Sequence, residues 1–138
     1  THMYLGPKEK PLVPDDYFVK PKGVMLWKKC HGASGNSAQE MWDKCFRKHA
    51  NLRLIFSGDQ SRSNALHLSQ TNDSGNLVHA LLSDYNASEN GGLRIYRFFP
   101  RNNEVEVVTY DAINGKVLQQ TDIVPDRQSH NFRIKVKF

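Results

Sequence analysis

Residues 91–111 read GGLRIYRFFPRNNEVEVVTYD, and the fold class turns on this stretch. Gly92 to Pro100 and Glu104 to Asp111 are strand-length runs joined by Arg101-Asn102-Asn103, residues that favour a turn. From Glu104 onward the alternation puts Val105, Val107 and Thr109 on one face and Glu104, Glu106 and Val108 on the other, the period-two signature of a half-buried strand. A β-hairpin is predicted here.

Working outward, the β pattern continues on both sides. Ala65 to Thr71 and Leu77 to Tyr85 flank Asn72-Asp73-Ser74-Gly75, and Asn90-Gly91-Gly92 precedes the central hairpin. Downstream, Val117 to Ile123 and Asn131 to Phe138 are strand-length, with Asn114-Gly115 as a two-residue hairpin signal. Leu52 to Phe56 is an apolar run consistent with a buried strand. Before it, Ser37-Ala38-Gln39-Glu40 fits a capping box, and Met41, Trp42, Cys45, Phe46 and His49 follow at helical spacing, predicting a helix over about 38–49 with Cys45 on its apolar face as a small buried hydrophobe. Gly23 to Trp27 suggests a short strand and Gly32 to Asn36 a turn. Residues 1–22, with Pro7, Pro11, Pro14 and Pro21, read as an extended Pro-rich arm. The expected architecture is α+β, a mainly antiparallel β-sheet with one prominent helix, in a single domain or half-domain over 23–138.

Composition narrows the function classes. At 138 residues the chain is long enough for one modest core. The net charge of +5 and pI of about 9.3 favour anionic partners, but the basic residues are dispersed, with no repeated basic-aromatic platform, which argues against nucleic acid. Cys30 and Cys45 form no CxxC or four-ligand zinc pattern. No apolar run approaches the roughly 18 residues of a membrane span, and no signal-peptide pattern opens the chain, so a soluble protein is expected and its compartment is left open. GxSxG, P-loop and HExxH motifs are absent. His31, His49, His67 and His79 read as structural; His79 and Asp84 lie five positions apart on one strand and so on opposite faces.

Three stretches, taken in order, carry a resemblance: GNSAQEMWDKCFRKHANLRLIFSGD (35–59), SGNLVHALLSDYN (74–86) and GGLRIYRFFPRNNEVEVVTYD (91–111). Together they resemble the C-terminal half of a calcineurin-like metallophosphoesterase. The resemblance implies half of a β-sandwich flanked by helices, with two divalent metal ions (Mn, Zn, Fe or Mg) held at strand ends and a phosphate ester hydrolysed by metal-bound hydroxide. Family ligands come from DxH, GD, GNHE, an isolated His and GHxH. The sequence holds no DxH and no GNHE, and its one Gly-Asp pair, Gly58-Asp59, stands at the GHxH position, so the first three motifs would have to lie upstream of residue 1 and catalysis by this chain alone is not expected. The phosphoester substrate belongs to the parent protein, and the half-domain is expected to self-associate or to meet a missing N-terminal half.

Gly58-Asp59-Gln60-Ser61 stands where the family has GHxH. Asp59 replaces the first His and is a competent ligand for hard divalent ions, Ser61 is a poor replacement for the second, and Arg62 is placed to pair with a phosphate oxygen. The plain alternative is a turn, with Asp59 capping local amides and Arg62 in solvent. Thr1-His2-Met3-Tyr4-Leu5 resembles the family's isolated His site, making His2 a second metal-ligand candidate; the same residues also fit the scar of tag removal. Two non-enzymatic alternatives are a β-rich binding or assembly module derived from the same fold, and an anion-binding domain.

Overall fold

The computed structural model describes residues 1–6, 10–11, 35–59, 65–86, 88–89 and 91–138. The expected strand at 23–27, Cys30, His31, most of the 32–36 turn, and Gln60, Ser61 and Arg62 lie outside the described residues.

The first two strands, β1 (Leu5–Gly6) and β2 (Lys10–Pro11), form an antiparallel pair. Helix α1 (Ala38–Lys44) starts at the predicted capping box, where the Ser37 hydroxyl accepts the Glu40 amide and the Glu40 carboxylate accepts the Ser37 amide. It is shorter than the pattern predicted. At Cys45 the backbone leaves helical values (φ −131°, ψ −69°), and the chain tightens into a 3-10 turn over Phe46–Lys48. Ala38 and Trp42 therefore define the buried face, while Cys45, expected in the core, is exposed because the helix ends before it can be carried onto that face.

Strands β3 (Leu54–Ser57), β4 (Ala65–Thr71) and β5 (Leu77–Ser83) form one sheet in the order β3-β5-β4. β4 and β5 are an antiparallel hairpin, whereas β3 runs parallel to β5, with Ser57 opposite Leu82. The hairpin turn is held by Asn72, whose side-chain oxygen accepts the Ser74 and Asn76 amides while its amide group donates to the His49 carbonyl. That last bond ties the turn to the end of the helical segment.

The second sheet is built on β6 (Gly92–Phe99) and β7 (Glu104–Asp111), the hairpin predicted from the opening stretch. Val105, Val107 and Thr109 are buried, as the alternation requires. Two short strands share the other edge of β7: β8 (Lys116–Val117) opposite Tyr110 and Asp111, and β9 (Phe132–Lys135) opposite Glu104 to Val107. Between them the Asn131 side chain accepts the Thr109 amide and donates to the Leu118 carbonyl, standing in for ladder bonds. Two strand expectations are corrected here. Val117 to Ile123 keeps only its first residue in β8, and Asn131 to Phe138 shortens to β9, because each has only part of β7 to pair with. Asp111 pairs with Lys116, so the Asn114-Gly115 turn is a four-residue loop. Between β8 and β9, the short helix α2 (Arg127–His130) is capped by Asp126.

The described chain is thus α+β, with mostly antiparallel strands. One face of the first sheet (Ile55, Val78, Ala80, Leu82) packs against Ala38 and Trp42 of α1 and against Met3, Tyr4 and Leu5. Of the arm expected over 1–22, its first residues are therefore core. The opposite face meets the second sheet through Leu81, Val105, Ile134 and Val136, with Leu54, Tyr96 and Phe132 alongside. On the outer face of the second sheet, Arg97, Arg133 and Lys135 form ion pairs of 2.7–3.1 Å with Glu104 and Glu106. Among the described residues no helix is long and apolar enough to cross a membrane.

Candidate functional site

β3 delivers the loop of interest. Where it ends, the Gly58 amide donates to the His2 carbonyl (2.9 Å) and the Thr1 ammonium donates to the Phe56 carbonyl (2.8 Å), laying residues 1–2 beside the strand end. Burial of Met3, Tyr4 and Leu5 anchors this segment from the other side. Asp59 then takes a left-handed conformation (φ +52°), which Asp tolerates better than most residues. Its carboxylate Oδ2 lies 3.2 Å from His2 Nε2, with both side chains open to solvent (48% and 68% exposed).

The two metal-ligand candidates, 57 positions apart in sequence, therefore meet at one rim. Asp84 follows β5 as Asp59 follows β3, since Ser57 and Leu82 are paired in the parallel register. Asp84 is buried, and its Oδ1 accepts the Asn86 amide. Even so, among the described residues no three His, Cys, Asp or Glu side chains come close enough to hold one ion. Arg62, the expected phosphate partner, lies outside the described residues.

Between the two sheets lies a polar layer that the sequence did not single out. His67 and Ser69 on β4 and His79 on β5 share one face, because Ser69 is paired directly with His79 and His67 sits on the diagonal. His67 Nε2 is 3.0 Å from His79 Nδ1; Ser69 Oγ is 3.2 Å from the first and 3.0 Å from the second. His79 Nε2 donates to the Lys135 carbonyl (3.1 Å), and the His67 ring stacks on Phe132 at 5.2 Å. Burial, then the charges of His79 and Arg94, push His67 down to about 4; burial also lowers His79, against the Lys135 carbonyl. Both imidazoles are therefore neutral near pH 7. The Asn72 to Asn76 turn sets this register, pairing Thr71 with Leu77 and Ser69 with His79; a hairpin centred on Asn72 to Gly75, the turn residues read from the sequence, would instead set Ser69 opposite Val78.

A neighbouring group surrounds Arg94. Its guanidinium donates to Tyr85 Oη (2.7 Å), Thr109 Oγ1 (3.1 Å) and the carbonyls of Leu82 (3.2 Å) and Ser129 (2.7 Å). Tyr85 Oη also meets His130 Nδ1 at 2.7 Å, and His130 Nε2 donates to the Val124 carbonyl at 2.9 Å. Burial lowers the His130 pKa, with Arg94 adding to the effect and the Val124 carbonyl and Asp126 opposing it. Arg94 is thus held by carbonyls and hydroxyls, which fixes the spacing of the two sheets.

Comparison with protein-family models, with curated proteins and with solved structures gives no match for this chain.

Proposed function

We propose that this chain is the C-terminal part of a metal-dependent phosphoesterase, with His2 and Asp59 contributing to a divalent-metal site completed by residues outside it. The supporting observation is the 3.2 Å approach of His2 Nε2 and Asp59 Oδ2 at the end of a strand in a parallel pair. An imidazole and a carboxylate suit Mn2+, Zn2+ or Fe2+, and Asp59 alone suits Mg2+. When bound, such ions acidify coordinated water and offset charge on phosphoryl oxygens. Within this chain, Asp59 supplies the anionic ligand, His2 the neutral one, and Arg62 pairs with a substrate oxygen. The two-sheet packing accords with half of the β-sandwich that the sequence resemblance implies.

The test is Mn2+ titration by calorimetry. The intact chain should bind in the range of about 10 μM to 1 mM, and Asp59→Ala and His2→Ala should each weaken binding at least tenfold. Equal affinity in the wild-type and Asp59→Ala chains would remove the site. Phosphodiester hydrolysis is expected only when the segment upstream is supplied, and should then fall with Asp59→Ala.

A second reading is a non-catalytic β-rich assembly module. It is favoured by the exposure of Leu93, Phe98, Ile113 and Phe138. Concentration-dependent association in light scattering, with no Mn2+ binding, would support it over the first.

A further inference from the structure

The His67, Ser69 and His79 triad has three close contacts and only two protons to bridge them. His79 Nε2 faces the Lys135 carbonyl and so carries its proton, leaving a lone pair on Nδ1. That lone pair is shared by two neighbours, His67 Nε2 at 3.0 Å and Ser69 Oγ at 3.0 Å, while these two stand 3.2 Å apart. With protons alone, His67 donates to Ser69 and Ser69 to His79, and the third edge of the triangle is a nitrogen–nitrogen contact without its own proton. A cation at the centre would use all three.

From these observations we infer that His67 Nε2, His79 Nδ1 and Ser69 Oγ form a transition-metal site between the two sheets, suited to Zn2+ or Cu2+ and distinct from the rim at Asp59. The dimensions fit. Ligands about 2.0–2.1 Å from a tetrahedral ion are about 3.3 Å from one another. The present triangle needs to open by only a few tenths of an ångström, with the ion about 0.7 Å above its plane. Such an opening is within reach of small rotamer changes. The outer shell is also in place: the Lys135 carbonyl fixes the His79 ring in the tautomer that exposes Nδ1, as carbonyls do for metal-binding histidines, and Phe132 backs the His67 ring. Metal binding requires His67 to move its proton to Nδ1. A cavity of about 330 Å3 beside His67, lined by Asp126, Ser129 and Phe132, gives room on that side of the sheet. Two nitrogens and one hydroxyl select ions that prefer imidazole over Mg2+ or Ca2+. The Arg94 charge, which acts on His67, opposes a dication and keeps the affinity modest.

The test uses the full chain carrying His2→Ala and Asp59→Ala, so that the rim contributes nothing. Zn2+ titration should give one equivalent bound with a Kd of about 1–100 μM, and Co2+ should give the d–d absorption of a tetrahedral site. His67→Gln should weaken Zn2+ at least tenfold and Ser69→Ala by less, with the fold checked by circular dichroism. Imidazole nitrogen NMR of the parent chain needs no substitution at the triad: on adding Zn2+, His79 Nδ1 and His67 Nε2 should both shift to metal-bound values while His79 Nε2 stays protonated. Unchanged nitrogen shifts at 1 mM Zn2+ (a concentration about ten times the weakest Kd expected), or binding that survives His67→Gln undiminished, would overturn the assignment and leave a hydrogen-bonded histidine pair.

Discussion

Gly92 opens β6 directly against the ring of Tyr85, and its replacement by Ala tests how the two sheets are registered. A Cβ at position 92 would stand 2.5 Å from Tyr85 Cγ, 2.6 Å from Cδ1 and 2.9 Å from Cβ, where carbon atoms in contact prefer about 3.5–4.0 Å. Relief needs a displacement of about 1 Å. Tyr85 cannot give that cheaply, because it is buried and its hydroxyl is held at 2.7 Å by both Arg94 and His130. Overpacking of this kind costs about 1–3 kcal/mol, and losing a hydrogen bond to a charged group adds about 1.5–3 kcal/mol. Gly92→Ala should therefore destabilise the protein by about 3–5 kcal/mol, against the gain of about 0.5–1 kcal/mol that Gly→Ala brings in an unobstructed strand. The assay is urea denaturation, run also in a Tyr85→Ala background. There the same change should be neutral or slightly stabilising. A cost below about 1 kcal/mol in the wild-type chain, or an equal cost with and without the Tyr85 ring, would refute the close approach.

Trp42→Ala should cost about 3–5 kcal/mol in chemical denaturation, since Trp42 is the largest side chain that α1 places in the core; a loss under 1 kcal/mol, about the typical single-mutation effect, would show that the helix docks differently. Tyr4→Phe should leave stability unchanged or raise it by about 1 kcal/mol, because the buried Tyr4 hydroxyl has no hydrogen-bond partner among the described residues. A marked loss would reveal a partner. In metal-free buffer the stability should be full above about pH 6.5 and fall as the pH drops towards about 4, since His67 is depressed to about 4 in the folded chain and the unfolded chain takes up its proton at the ordinary 6.5. That gap is worth about 3 kcal/mol, or about 2 kcal/mol once the ring's partial exposure is allowed for; His79 and His130 act in the same direction, and a flat stability between pH 7 and 5 would contradict the burial of these rings.

Local signals were the legible ones. The Ser37–Glu40 capping box, the alternation in β7 and the turn residues between β4 and β5 each act within a few positions, and each appears where the pattern put it. What was not legible depends on partners distant in sequence. β3 pairs in parallel with β5 across the intervening β4, and Val117 to Ile123 is cut short by the length of β7 left open to it. Cys45 was misplaced because periodicity cannot tell where a helix will stop once its last turn tightens. At the candidate sites, Asp59 and His2 could be named from residue type and resemblance, but their approach follows from the backbone bonds of Thr1 and Gly58. His67 and His79 were each read alone, as strand residues, because nothing in either stretch fixes the register that places Ser69 opposite His79.

The burial of Met3, Tyr4 and Leu5 against Val78, Ala80 and Leu82 bears on how the polypeptide is made. These three residues leave the ribosome well before their neighbours, and the last partner follows roughly eighty residues later, about 4 to 15 s at ordinary rates of synthesis. Through that interval the sheet face that these residues cover in the finished fold is not yet made, so the apolar segment waits without the partners it will keep. Slower translation through β4 and β5 would lengthen the exposure, and the yield of folded protein should track the speed at which that hairpin is completed.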